Sequence, residues 1–358
     1  MESNTDSSRA LASIQIIDTI EPHDNADSLE LANILGWQII VRKGEVVPGA
    51  RVIYCEIDSL LPIDSKWLPP AIQQRIIKEK TKNFFRIKTI KLRGQLSQGL
   101  IVPITDELPS MFNDISWSEL DVGYNVTDIL KIEKYEPPSL TGKFSYNNCE
   151  NHKPSNFPSK IIAKTDEPRV QSSPKLFSAL QGKPYYMTVK LDGTSVTYLL
   201  DTDEFLVCSR NMIRTKPDDI NTCPYWYVAI KYDIENKLRA NPNLAIQGEI
   251  CGPNIQRNLL GLKELELFIF NVVDISLKHR LPYTEMITAC KETLQLPHVP
   301  IEEIGEEFLF ENIKVLLNKS TGTYQGTKNY REGLVVRSID QLISFKVISN
   351  DYLLKYGH

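Results

Sequence analysis

The segment Lys190-Leu191-Asp192-Gly193-Thr194-Ser195 decides how the rest of this 358-residue chain is interpreted. It lies between residues 186–190 and 194–200, two runs rich in β-branched and aromatic residues that predict strands joined by a turn. A lysine amine has a pKa of about 10.4 and is a poor nucleophile at neutral pH. Burial or adjacent positive charge lowers that pKa, and a nearby carboxylate such as Asp192 is suited to place a metal ion. Taken alone, the segment is explained more simply by an exposed turn.

Four further segments follow this one in chain order. Gly248-Glu249-Ile250-Cys251-Gly252-Pro253 comes first, and Phe268-Ile269-Phe270-Asn271-Val272 is an apolar strand with two aromatic rings on one face. Glu332-Gly333-Leu334-Val335-Val336-Arg337 places a carboxylate at the head of a strand, and Ser344-Phe345-Lys346 supplies a second lysine. The order of all five segments makes coincidence an improbable explanation.

In this order the segments resemble the motifs of the covalent nucleotidyltransferase superfamily, which contains ATP-dependent RNA and DNA ligases and capping enzymes. Those motifs are KxDG, GE, an aromatic strand, EGxVxR and a terminal lysine strand. The resemblance is closest to RNA ligases with an N-terminal OB domain, whose sequences look like residues 157–159, 164–171, 252–256 and 344–350. DNA ligases and capping enzymes place an OB domain after the terminal lysine, where positions 347–358 are too few for a barrel.

The resemblance implies a role for each motif residue. Lys190 is expected to attack the α-phosphate of ATP and to carry AMP, while Lys346 neutralises phosphate charge. Asp192, Glu249 and Glu332 are expected to hold a hydrated Mg²⁺ or Mn²⁺ through water. The expected catalytic residues are these three carboxylates together with Lys190 and Lys346. The implied ATP-binding residues are Lys190, Val189, Arg169, Gln171, Arg210, Glu249, Phe270, Glu332 and Lys346, with Phe268 as the alternative adenine-stacking ring.

Several of these residues also have ordinary interpretations. The rings of Phe268 and Phe270 are compatible with a packed core, and Arg210 with an ion pair to Asp203. The terminal strand departs from the family pattern, because the family often has KxK where this chain has only Lys346. Either Lys346 acts alone on the phosphate or a neighbour such as Lys355 or Arg337 contributes.

The N-terminal third contains short β-rich runs separated by turn signals such as Lys43-Gly44 and Pro48-Gly49. The runs at residues 11–20, 37–41, 50–57 and 84–92 predict a small barrel, and the OB type is the commonest barrel that binds nucleic acid. Residues 75–93 contain eight basic residues and one acid, with Phe84 and Phe85 among them. This pattern indicates a surface that contacts RNA, and a solvated strand face or lysine-rich helix is the alternative. The predicted RNA-binding residues are Arg86, Lys88, Lys91 and Arg93.

The expected fold class is α+β, with an N-terminal OB-type barrel followed by a nucleotidyltransferase domain of the ATP-grasp-like, ligase adenylation type. The predicted parts are a disordered tail (1–9), the OB domain (10–135), a linker rich in Pro, Ser and Asn (136–158) and the adenylation domain (159–358). Apolar residues recur at helical spacing in residues 225–239, which predicts one helix there.

Composition narrows the setting in which this chain is expected to work. The six cysteines form no CxxC pair, so a zinc site or disulfide framework is not expected. The expected compartment is reducing and intracellular, either cytoplasmic or, if the source is eukaryotic, nuclear. An apolar run of 18 residues is lacking, so no membrane partner is expected. A monomer is assumed.

The function predicted from the sequence is sealing of RNA 3′-hydroxyl to 5′-phosphate ends, at nicks, through lysyl-AMP and an adenylylated RNA 5′ end. The cofactors are ATP and Mg²⁺ or Mn²⁺, and the partner is RNA, with DNA as a possible template. The alternatives are a DNA ligase, a capping guanylyltransferase, or an RNA-binding protein without catalysis.

Overall fold

A computed structural model describes residues 9–63, 65–68, 72–73, 84–105, 108, 112, 115–136, 144 and 155–357. Contacts divide the chain into two units, Met1–Pro137 with Leu353–His358 and Pro138–Tyr352. The predicted tail (apart from Arg9), most of the predicted linker, and the basic residues at positions 75, 78, 80 and 82 lie outside the described residues. Among the described residues, no helix is long and apolar enough to cross a membrane.

The described part of the first unit is built from short antiparallel strands. They are β1 (Ala12–Ile16), β2 (Thr19–Pro22), β3 (Leu29–Ile34), β4 (Trp37–Arg42), β5 (Arg51–Cys55), β6 (Ser59–Pro62), β7 (Phe84–Arg86), β8 (Thr89–Leu92), β9 (Gln95–Gln98), β10 (Leu100–Pro103) and β11 (Glu133–Lys134). The sheet orders are β1-β5-β10, β11-β6-β7, β2-β3-β4 and β8-β9. Trp37, Ile39 and Val41 alternate along β4 and are buried, as expected for a strand with one face on a core.

Two runs predicted as single strands are each two strands. The run at residues 11–20 divides at Ile17 and Asp18, whose backbone amides bond to Ala50 and Asn33, so the chain changes partner from β5 to β3. The run at residues 84–92 divides in the same way, because β7 pairs with β6 and β8 with β9. Such changes of partner give short strands and sharp corners, which are typical of small barrels.

The second unit contains two antiparallel sheets. Its strands are β12 (Ser155–Asn156), β13 (Tyr185–Lys190), β14 (Thr194–Asp201), β15 (Glu204–Ser209), β16 (Met212–Ile213), β17 (Leu244–Cys251), β18 (Glu266–Asp274), β19 (His279–Arg280), β20 (Ile301–Gly305), β21 (Gly333–Ser338) and β22 (Ser344–Ile348). One sheet has the order β12-β16-β15-β14-β17-β18-β19 and the other β20-β13-β21-β22. The strands predicted at residues 186–190 and 194–200 are present as β13 and β14, each end within one residue of its predicted position.

Short helices cover these sheets. They are α1 (Pro174–Leu180), α2 (Pro224–Lys231), α3 (Ile234–Arg239), α4 (Tyr283–Thr288), α5 (Ile313–Ser320) and α6 (Asn350–Tyr356), with a π-helical turn at Ala289–Thr293 and 3-10 turns at Val170–Ser172 and Ile220–Thr222.

The single helix predicted at residues 225–239 is wrong, because Asp233 adopts a left-handed conformation (φ 51°) and separates α2 from α3. Trp226, Ile234 and Leu238 still pack into one core, so the apolar spacing was preserved across the break.

The described end of the predicted linker takes part in the second unit. Ser155–Asn156 pairs with Met212–Ile213 at the edge of the larger sheet. Phe144 is buried in the core with Val196 and Tyr198, which lie on β14.

Phe308 lies at the centre of the core beneath the smaller sheet and is fully buried. Its ring packs against those of Phe177, Tyr185, Phe310 and Phe345, with centroids 4.9 to 6.3 Å apart. Aromatic pairs at these separations stabilise a core beyond the area that they bury.

Phe308→Ala is expected to lower the free energy of unfolding by about 3–5 kcal/mol, because it removes a ring and leaves a cavity. Leu309→Ala is the matched control, since the neighbouring Leu309 is 70% exposed, and should change it by less than about 0.5 kcal/mol. Urea unfolding followed by tryptophan fluorescence measures both, and equal effects of the two variants would contradict this account of the core.

Candidate active site

Lys190 lies where the chain passes from one sheet to the other. It is the last residue of β13 and pairs with Gly333 at the start of β21, while Thr194 begins β14 in the larger sheet. The turn between them requires glycine at position 193, because a Cβ there would lie 2.4 Å from the carbonyl oxygen of Ile250. The pairing of β14 with β17 places Ser195 opposite Glu249. Motif residues from both sheets therefore meet at one lysine.

The amine of Lys190 is paired with a carboxylate. Its Nζ donates to Oε2 of Glu332 over 2.7 Å, and both side chains are mostly buried. Burial acts to lower the pKa of Lys190, but Glu332, Glu249 and Asp192 outweigh it, and the net shift is upward. The surroundings of Lys190 therefore favour its protonated form.

The surrounding carboxylates carry more negative charge than the lysine balances. Burial, with further contributions from Glu332 and Asp192, raises the pKa of Glu249 to about 8 against the opposing effect of Lys190. Burial and Glu332 raise the pKa of Asp192 to about 6. Among the described residues, no three His, Cys, Asp or Glu side chains are placed to ligate one metal ion.

Lys346 and Arg210 meet at a second carboxylate. Lys346 Nζ lies 3.0 Å from Asp166 Oδ1, and Arg210 Nη2 lies 2.9 Å from Asp166 Oδ2. Burial, together with Lys190 and Arg169, lowers the pKa of Lys346 to about 8 despite the opposing charge of Asp166. The ordinary alternative for Arg210, an ion pair with Asp203, is not what the structure shows.

Most of these side chains line one cleft, but Glu332 and Asp192 are not among its lining residues. Its lining residues are Thr165, Asp166, Glu167, Thr188, Val189, Lys190, Leu191, Ser195, Arg210, Glu249, Phe270, Val299, Val335, Arg337 and Lys346. Along β18 the rings of Phe268 and Phe270 are half-buried, whereas the alternating residues Leu267 and Ile269 are buried in the core. The core interpretation of the two rings is therefore wrong, and of the two it is Phe270 that reaches the cleft.

Comparisons with known proteins identify the family and the fold of the chain. A family model described as an OB-fold domain matches residues 11–104, and one described as RNA ligase matches residues 183–356. Among solved structures, Naegleria gruberi RNA ligase with PPi is 34% identical, with TM-score 0.84 over 98% of this chain and 99% of that chain. A comparison with curated protein sequences finds no significant match.

Two variants of the same Naegleria gruberi ligase are also similar over almost the whole chain. One, with ATP and Mn, is 33% identical with TM-score 0.84, covering 98% of this chain and 100% of that chain. The other, with AMP and Mn, is 32% identical with TM-score 0.83, covering 96% and 98%. This chain belongs to the RNA ligase family. The expected fold class, an OB domain followed by a nucleotidyltransferase domain, is thereby confirmed.

Some predicted ATP-binding residues of the ligase lie outside the lining of the cleft. Gln171 is fully buried, and its side-chain amide has no hydrogen-bond partner among the described residues. Arg169 is also buried, and its backbone bridges to Lys346. Contacts from these two residues to ATP stay predictions.

A buried ion network beside Phe270 was not predicted from the sequence. Glu167 Oε1 accepts from Arg280 Nη1 at 3.0 Å and from Arg337 Nη2 at 3.1 Å, and Arg337 Nη1 donates to the carbonyl of Phe270 at 3.0 Å. Burial opposes it, but Arg337 and Arg280 hold the pKa of Glu167 below its ordinary value. The network joins β18 to β21 at the backbone of Phe270. It also occupies the guanidinium of Arg337, which the sequence suggested as one candidate helper of Lys346.

Tyr352 is a further residue that sequence reasoning missed. Its hydroxyl donates a hydrogen bond to the carboxylate of Asp192, which lowers the pKa of that carboxyl in opposition to burial. The only sequence signal was its place six residues after Lys346, two residues beyond the segment that resembles the family.

The four predicted RNA-binding residues differ in how they are held. Arg86 Nη2 lies 2.7 Å from Asp58 Oδ1, and its guanidinium lies 3.5 Å from the ring centroid of Tyr135. Lys88, Lys91 and Arg93 are exposed. Arg86 therefore also stabilises the barrel, whereas Arg93 donates from Nη1 to the carbonyl of Asn25 at 3.4 Å.

The raised pKa of Glu249 makes stability depend on pH. Between pH 4.5 and about pH 8, Glu249 keeps a proton in the folded chain that it loses in the unfolded chain. The contribution of Glu249 to the free energy of unfolding therefore falls as pH rises through that window. Glu249→Gln stays neutral, so its free energy of unfolding, relative to the unsubstituted protein, should increase from pH 4.5 to 8. Urea unfolding in EDTA measures this, with exposed Glu306→Gln as the control that should show no trend. A flat difference for Glu249→Gln would contradict the assignment.

Proposed function

We propose that this ligase seals RNA 3′-hydroxyl to 5′-phosphate ends, at nicks, through AMP carried on Lys190. The observation that carries the proposal is the Lys190 amine, which lies 2.7 Å from Glu332 in a cleft that also holds Lys346 and Phe270. An amine, a phosphate-binding cation and an aromatic ring in one cleft are the parts that nucleotide transfer to a lysine needs.

Residues of the cleft are proposed to contact the adenine and the phosphates of ATP. Phe270 offers a half-buried ring to adenine, and the strand residue Val189 lines the same space. Lys346 and Arg210, now held on Asp166, are placed to take the phosphates. The Lys190 nitrogen then attacks the α-phosphorus. A nitrogen–phosphorus bond forms, the bond from the α-phosphorus to the bridging oxygen breaks, pyrophosphate leaves, and the amine loses its proton to solvent.

Asp192, Glu249 and Glu332 fit a hydrated Mg²⁺ or Mn²⁺ held through water. Burial, and secondarily the neighbouring carboxylates, raises the pKa of Glu249 and of Asp192, and a hydrated cation beside them would favour their charged forms. A bound divalent cation supplies positive charge beside the α-phosphate and the amine. Glu332 would then hold the hydrated cation instead of the Lys190 ammonium, and the neutral, nucleophilic form of Lys190 would be favoured.

The similar Naegleria gruberi structures support this choice of cofactors. They contain ATP and Mn, AMP and Mn, or PPi, which are a substrate, a nucleotide fragment and a product of the proposed reaction. After the first step the AMP passes to an RNA 5′-phosphate, and attack by a 3′-hydroxyl releases it. The OB domain, through Lys88, Lys91 and Arg93, is proposed to hold the RNA, and the complementary strand is RNA or DNA.

Lys190→Ala should abolish covalent labelling by α-³²P-ATP with Mn²⁺, because it removes the attacking amine. Lys183→Ala, which removes an exposed lysine just before the same strand, is the matched control and should label normally. A denaturing gel with acid treatment measures the label, and α-³²P-GTP tests the nucleotide. Label retained in Lys190→Ala, or label from GTP alone, would contradict the proposal.

Lys91→Ala combined with Arg93→Ala should weaken binding of nicked duplex RNA without slowing lysyl-AMP formation. The logarithm of the binding constant falls linearly with the logarithm of the salt concentration, and each cation removed from an RNA phosphate should make that slope about 0.9 less negative. Arg42→Ala with Lys43→Ala removes the same charge from another exposed turn of the barrel and is the control. Binding is measured by fluorescence anisotropy at several salt concentrations. Equal weakening in the two double variants would argue against a specific RNA surface.

A further inference from the structure

Tyr324 is a buried residue that none of the motifs includes. It is 4% exposed and lies in the segment between α5 and β21. Its hydroxyl donates to the carbonyl oxygen of Lys190 at 3.1 Å and accepts from the backbone amides of Asp192 at 3.0 Å and of Glu332 at 3.2 Å. One side chain thus contacts the backbone of three residues that the proposed function places at the reaction.

These three bonds use the whole capacity of the hydroxyl. A tyrosine hydroxyl has one proton to donate, and its oxygen is able to accept more than one hydrogen bond. The partners are all backbone atoms, so the hydroxyl fixes where the chain lies and not which side chains it carries. It joins the turn after β13 to the residue before β21, at the ends of two paired strands.

The segment that carries Tyr324 is itself rigidly built. Arg331 donates from Nε to Ser320 and from Nη2 to Lys319 and Thr321, so it satisfies carbonyl groups at the end of α5. The same guanidinium pairs with Glu302 over 2.7 Å. A buried arginine with these partners holds the chain on one side of the tyrosine.

The other side of the segment is also held. The backbone amide of Tyr324 donates to the backbone carbonyl of Asn329 at 3.0 Å. The backbone carbonyl of Tyr324 accepts from the amide and the hydroxyl of Thr327. The side chain of Asn329 donates to the carbonyl of Leu259 at 2.8 Å. The hydroxyl is therefore presented to its three partners from a fixed hairpin.

We infer that Tyr324 is a positioning residue for the transfer of AMP, because its hydroxyl sets the distance between the Lys190 amine and the Glu332 carboxylate. This inference rests on the proposed function. Without the hydroxyl, two amides and one carbonyl are left without a buried partner, and the strand ends must separate to reach water. Misplacement of a reacting group by about 1 Å costs about 100-fold in rate. The cleft residues Phe270, Lys346 and Arg210 are not bonded to Tyr324 through any of these contacts, so ATP binding should change little.

Tyr324→Phe tests the inference, because it removes the hydroxyl and keeps the ring. Lysyl-AMP formation is measured with the full chain by rapid quench with α-³²P-ATP and Mn²⁺. At saturating ATP the rate constant should fall about 10- to 100-fold, while the KM for ATP stays within about threefold. A rate constant within about twofold of the unsubstituted protein, or a rise in KM that accounts for the whole loss, would overturn it.

A stability control separates positioning from a structural role. Val228→Ala truncates a fully buried side chain in the core beside the larger sheet, and it should lower the unfolding midpoint at least as much as Tyr324→Phe does. Well below both midpoints, Val228→Ala should keep the rate constant of the unsubstituted protein. An equal loss of rate in both variants would show that lowered stability, not positioning, is the cause.

The same assay distinguishes this inference from the proposed function. A labelled unsubstituted protein, an unlabelled Lys190→Ala and an unaffected Tyr324→Phe would overturn the positioning role alone. An unlabelled unsubstituted protein would overturn the proposed function, and the role of Tyr324 with it.

Discussion

The site depends on one constraint, the passage of the chain from the smaller sheet to the larger one between Lys190 and Thr194. The passage is possible only because position 193 is glycine, whose missing side chain leaves room for the carbonyl of Ile250. Since β13 pairs with β21 and β14 with β17, Glu332 and Glu249 approach the same lysine from different sheets. A shift of one residue in either register would turn a strand's side chains to the opposite face and separate the charges.

This convergence places more acid than base in a buried space. Burial alone would favour a neutral amine on Lys190, but the carboxylates reverse that effect and keep the proton on it. Burial, with a smaller contribution from Glu332 and Asp192, raises the pKa of Glu249 to about 8. The residues of the chain therefore stabilise the inactive, protonated lysine. In the proposed reaction the positive charge that releases the proton has to come from outside the chain, which couples activation of the lysine to the arrival of the cofactors.

The sequence predicted what is encoded locally and missed what depends on distant partners. Strand positions follow from alternation and turn residues, so the bounds of β13 and β14 were right within one residue. The helix break at Asp233 was missed because the apolar spacing continues through it. Glu167 and Arg337 are 170 positions apart, and the bonds of Tyr324 end on backbone atoms. Neither kind of contact leaves a spacing pattern, so only the fold shows them.

Asp166 indicates what limits the binding of an anion in this cleft. Lys346 is buried enough for its pKa to fall to about 8, and an unpaired cation there would be costly. The Asp166 carboxylate lies between Lys346 and Arg210 and compensates both. In the proposed reaction the phosphates of ATP take over these two cations. The affinity for ATP then reflects the difference in interaction free energy between a phosphate and the Asp166 carboxylate at Lys346 and Arg210. It does not reflect the full strength of either contact. Because Asp166 is itself half-exposed, it regains water when it is displaced, which keeps that difference favourable to the phosphate.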